Sequence, residues 1–72
     1  MILNNAIPRL SEAMRLTEES KQDQEVPFIY NELLTYDTIG AVCLWIIRQG
    51  YEFTTRQDEY RFVIIIHPKK HP

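Results

Sequence analysis

The chain of 72 residues has a single cysteine, Cys43, and only two glycines, Gly40 and Gly50. One cysteine excludes an intrachain disulfide, so the fold cannot be stapled that way. Two isolated glycines exclude a glycine-rich phosphate loop. The longest apolar run, Ala41 to Ile47, is far too short to span a bilayer, and no membrane role is expected. Met1 to Leu10 lacks a basic stretch followed by a long apolar one, so no secretion signal is expected there. Together with the lone cysteine this predicts a reduced, cytoplasmic setting. There is no excess of basic residues. The formal net charge is −2, which weighs against binding driven by phosphate neutralisation.

What is present is a folding composition. Hydrophobic residues make up 44% and charged residues 25%, outside the range of disordered chains. The length allows one domain, here residues 1–72 with an exposed tail at 68–72, and such a small core gives thin stability. Charge is unevenly spread. Acids dominate between Glu18 and Asp37, whereas Arg48, Arg56, Arg61, Lys69 and Lys70 lie in the last third.

Ile7, Leu10, Met14 and Thr17, with Ala13 beside them, recur at helical spacing. They predict a first helix over about 7–21, with Asn4 or Asn5 as its cap and Pro8 in its first turn, where a missing N–H is harmless. Met1 to Asn5 reads as an edge strand or a frayed end, and Gln22 to Val26 as a polar linker. The stretch 27–35 reads as a further short helix or strand, the helix being favoured, with Phe28, Ile29, Leu33 and Leu34 as its apolar set. A second helix over about 38–49 is bounded by Asp37 as N-cap and Gly50 as left-handed C-cap. Its apolar residues cover nearly every side, so burial over most of its surface is expected.

After Gly50 the period changes to two. Tyr51 to Thr55 and Tyr60 to His67 predict an antiparallel hairpin, joined by a turn over Arg56 to Glu59. The second strand is apolar on both faces, which predicts an interior strand or an edge that pairs outside the chain. The expected class is α+β, two main helices followed by a C-terminal hairpin.

Candidate chemistry is sparse. Cys43 stands among Val42, Leu44 and Trp45 and reads as a core cysteine rather than a nucleophile. His67 and His71 have a helical metal-binding spacing, but Pro68 and Pro72 forbid the helix. No metal site and no cofactor are expected. Glu12, Glu18, Glu19 and Asp23 read as a solvated helix face, since nothing local supplies the burial a catalytic carboxylate pair needs. The chain is not expected to be an enzyme.

Arg48, Arg56, Arg61, Lys69 and Lys70, with Tyr51 and Tyr60 between them, form the one cluster that could meet nucleic acid, through the C-terminal hairpin and basic tail. A helix followed by a hairpin also occurs in winged-helix DNA binders. A recognition helix, however, must show a polar, basic face to the groove, and the helix after Asp37 shows almost none. Ile46 to Phe53, with Arg56-Gln57 and the closing Val63 to Lys70, resembles the end of the small HicA-type mRNA interferase toxins. The resemblance covers about a third of the chain. The family's Gly-Ser-His stretch is replaced by Gln57-Asp58-Glu59, so no activity is carried over.

The remaining signal is an excess of aromatic and branched apolar residues for so short a chain. Exposed apolar patches mark interaction sites. Trp45, Tyr51, Phe53, Tyr60 and Phe62, with Arg56 and Arg61, are the candidate contact residues. The reading is a protein-interaction module, an accessory or inhibitor subunit, that forms a homodimer or binds another protein. A weak nucleic-acid binder is the alternative.

Overall fold

In a computed structural model, residues 2–29 and 36–69 are described. They form α1 (Ile2–Ser20), β1 (Gln24–Ile29), α2 (Tyr36–Arg48), β2 (Phe53–Gln57) and β3 (Arg61–Ile66). The three strands make one antiparallel sheet in the order β1-β3-β2. Both helices cover one face of it, and the class is α+β.

α1 starts at Ile2, earlier than expected, and runs through Pro8. The correction has a physical cause. Ala6 is 1% exposed, so the buried stripe Ala6, Leu10, Ala13, Met14 and Thr17 extends back past the proline. Pro8 itself is exposed, which places its ring on the solvent side. The buried Thr17 hydroxyl donates to the Met14 carbonyl at 2.7 Å, so no hydroxyl is left unsatisfied in the core. α1 ends at Lys21, which has φ 58° and donates its amide to the Thr17 carbonyl at 2.8 Å. That is the single-bond left-handed cap, occupied here by a residue with a side chain.

The favoured short helix over 27–35 is not found at its start. Gln24–Ile29 is a strand, so the expected linker and part of that stretch together form β1. Residues 30–35, with Leu33 and Leu34, lie outside the described residues. β1 alternates with Val26 and Phe28 buried and Glu25, Pro27 and Ile29 exposed. The third strand needed to stabilise a hairpin therefore comes from this chain.

α2 starts two residues earlier than expected, so Asp37 lies inside it rather than capping it, and Gly50, at φ 83°, closes it as expected. Gly50 donates to the Ile47 carbonyl at 2.9 Å and Tyr51 to that of Ile46 at 3.4 Å, the two bonds of a Schellman cap. The helix is not buried all round, contrary to expectation. Val42 and Ile46 are fully enclosed, but Leu44 is 47% and Ile47 58% exposed. Cys43 is half-buried rather than in the core.

β2 starts later than expected, and the turn falls at 58–60 rather than 56–59. The Asp58 carboxylate holds it, accepting the amides of Tyr60 and Arg61 at 3.2 and 3.0 Å. A side chain thus replaces the glycine such turns often use. β3 is the central strand. Phe62, Ile64 and Ile66 join Val26 and Phe28 beneath the helices.

The bonding pattern follows from two contacts at the hairpin's ends. Asp58 N donates to Arg61 O at 3.0 Å, and His67 N to Glu52 O at 3.1 Å. Bonded and non-bonded pairs alternate in an antiparallel ladder. In the register Phe53↔Ile66 to Gln57↔Phe62, Thr54 and Arg56 therefore bond inward to β3. Phe53, Thr55 and Gln57 turn their main-chain groups outward. The same parity makes Glu25, Pro27 and Ile29 face outward on β1.

Candidate functional site

Three surfaces of the molecule could meet a partner: the sheet face without helices, the two sheet edges, and the outer flank of α2.

The helix-free face is closed by polar side chains. Arg56 on β2 reaches over β3 to Glu25 on β1, 2.5 Å away. Val63, directly opposite both Pro27 and Arg56, is only 1% exposed although no helix lies on its side. The Pro27 ring and the apolar stem of Arg56 account for this cover. At the end of the same face, the half-buried His67 ring stands between Asp23 and Thr54. Nδ1 is 2.9 Å from the Asp23 carboxylate, and Nε2 is 3.1 Å from the Thr54 hydroxyl. Hydroxyl, imidazole and carboxylate occur in that order in acyl-transfer sites. There the nucleophile also needs donors for a developing oxyanion. The Thr54 amide is committed to the β3 ladder, and the cluster lies on an open surface. What the geometry does is tie the ends of all three strands together.

The two edges differ. Pro27, facing outward on β1, has no N–H to offer. Its carbonyl accepts from the Arg9 guanidinium, which also lies 4.4 Å from the centroid of the Phe28 ring. Proline and a covering side chain are standard protections of a sheet edge. β2 carries no such device. Among the described residues its outward main-chain groups at Phe53, Thr55 and Gln57 have no partner, and the side chains of Thr55 and Gln57 are exposed on the helical face.

On α2, Gly40, Leu44 and Ile47 follow at helical spacing and are all exposed, on the flank away from Val42. A methyl group added at Gly40 would meet nothing within 4 Å. Nothing within the described chain calls for a glycine there, although glycine costs about 1 kcal/mol relative to alanine inside a helix. Burial pushes the neighbouring Cys43 thiol up from its ordinary range, which keeps it protonated at neutral pH.

The sequence-derived contact residues do not form one site. Phe62 is 5% exposed and belongs to the core, and Trp45, Tyr51 and Phe53 pack against that core while half-buried. Tyr60 is 74% exposed at the hairpin tip. Arg56 is paired with Glu25, and Arg61 lies 3.3 Å from Asp58. Tyr51 is also held in place: its hydroxyl is 3.5 Å from the Met14 carbonyl, and the Lys69 ammonium lies 4.7 Å from its ring centroid. Burial and the Glu18 charge push the Tyr51 hydroxyl up. Lys69, expected in a loose tail, is thus folded against the body, with its amide 3.4 Å from Glu18. The β2 edge and the Gly40–Leu44–Ile47 flank were missed. Edge position depends on strand order, which no local pattern contains.

Among the described residues no group of three or more His, Cys, Asp or Glu side chains is placed to hold a metal ion. No described helix is long and apolar enough to cross a membrane. No family model matches the chain, and no curated protein or solved structure is significantly similar to it.

Proposed function

We propose that this chain is a non-enzymatic protein-interaction module, a small accessory or inhibitor subunit that associates with itself in a cytoplasmic setting. One observation carries the reading. Leu44 and Ile47, two large aliphatic side chains one turn apart on α2, are about half exposed. Exposed aliphatic groups at helical spacing gain free energy by meeting a matching surface, at about 25 cal/mol per Å² covered. A second copy is the simplest source of one, because a two-fold interface uses the same patch twice.

Nucleic-acid binding through the hairpin is the weaker reading. Arg56 and Arg61, its principal bases, already face Glu25 and Asp58. Phosphate binding would have to displace those carboxylates.

Light scattering across the micromolar range tests the proposal. A dimer mass, or a mass that rises with concentration, supports it. A monomer mass with high solubility and no concentration dependence overturns it.

A further inference from the structure

We infer that the partner surface is the outer edge of β2, and that two copies join there through antiparallel β2–β2 pairing about a two-fold axis at Thr55. This rests on the self-association reading above and adds the place, the register and the occupant.

The first support is the contrast between the edges. Pro27 and Arg9 occupy the outward groups at the middle of β1, so that edge resists a further strand. β2 presents outward N–H and C=O groups at Phe53, Thr55 and Gln57, with no described strand opposite them. Such groups are satisfied by water in the monomer and by a strand in a complex.

The second support is that β2 is complementary to itself. Bonded pairs between two β2 strands can form only among the outward-facing residues 53, 55 and 57. One antiparallel register engages all of them: Thr55 opposite Thr55, and Phe53 opposite Gln57. Each such pair exchanges two main-chain bonds. In this register Arg56 lies opposite Thr54 of the other copy, so the arginines do not face each other and each keeps its Glu25 partner. The threonines meet on the helical face, where cross-strand threonine pairs are favourable. A different protein strand offers the same main-chain groups, but the Thr55–Thr55 and Arg56–Thr54 pairings favour a second copy of this chain.

The test is a charge pair at Thr55, whose side chain is exposed in the single chain, so substitution leaves the protomer fold intact. Thr55→Lys puts two ammonium groups opposite each other at the axis, and Thr55→Glu puts two carboxylates there. Each variant alone should dimerise on the order of a hundredfold more weakly than the parent chain. Mixing the two should restore a dimer of one copy of each, seen by sedimentation or native mass spectrometry. Hydrogen exchange gives an independent readout: the amides of Phe53, Thr55 and Gln57 should slow as the parent chain dimerises. If the parent chain dimerises but both variants do so equally well, and these amides exchange fast in the dimer, the edge is wrong while self-association stands. A parent chain that stays monomeric at every concentration overturns both.

Discussion

The Arg9 guanidinium on α1 donates to the Pro27 carbonyl on β1, so a helix side chain closes the one outward acceptor at the centre of that edge. The same guanidinium rests over the Phe28 ring, which anchors it to the core. Arg9 therefore has a negative role, keeping β1 from pairing, beside a packing one.

Replacing Arg9 with alanine should lower stability by about 1 kcal/mol, from the lost cation–π contact and hydrogen bond. The double variant Arg9→Ala, Pro27→Val should do more. With both edges open, the chain should grow beyond a dimer as concentration rises, as exposed edges do. Sedimentation velocity checks this. A double variant with the parent's size distribution would show that β1 is protected by something else.

Lys21 sits in the left-handed region to end α1. A side chain there costs about 1–2 kcal/mol, which glycine does not incur. Lys21→Gly should raise stability by about 0.5–1 kcal/mol after the greater unfolded-state freedom of glycine is subtracted. The Lys21–Glu18 contact it removes is long, 3.7 Å, with Lys21 exposed and Glu18 half-buried, so it offsets little. Thermal unfolding should move up by several degrees.

Asp58 predicts an acid-side dependence. Desolvation alone would raise its carboxyl, but the amides of Tyr60 and Arg61 and the Arg61 charge outweigh it and hold it below the usual 3.8. A depressed folded-state value means that the ionised form is favoured by folding. Its contribution is present above the unfolded value and is lost as pH falls through the folded one. Stability of the parent chain should therefore fall faster below about pH 4 than that of Asp58→Asn. Urea midpoints measured between neutral pH and pH 3 compare the two, and parallel curves would remove Asp58 as a contributor.

Phe62 and Tyr60 separate core from surface. Phe62→Ala should cost about 3–5 kcal/mol, enough to unfold much of so small a domain. Tyr60→Ala, at a side chain 74% exposed, should stay within about 0.5 kcal/mol. Urea titration of both variants measures the difference. Comparable losses would place Tyr60 in contacts that the structure does not contain.

Much of the architecture is legible in the residues themselves. The end of α2 follows from Gly50, because a left-handed residue after an apolar helical run is a local signal. The change from helical to alternating period after Gly50 marks the hairpin, and the apolar residues on both faces of β3 mark it as interior or as an edge paired outside the chain, a choice that strand order settles as interior. These are properties of neighbouring residues. Tertiary structure decided the rest. Gln24–Ile29 contains a proline and no alternation of polar with apolar residue types, and it becomes a strand, buried at every second residue, because β3 offers it a register. Pro8 stays within α1 because Ala6 has a core to enter. Phe62 and Tyr60, two residues apart and expected on one face, part company because the turn closes after Asp58 and carries Tyr60 outward. The β2 edge emerges last of all. Periodicity is written along the chain, whereas an edge exists only once strands far apart in sequence have been ordered by the pairing that buries their apolar faces.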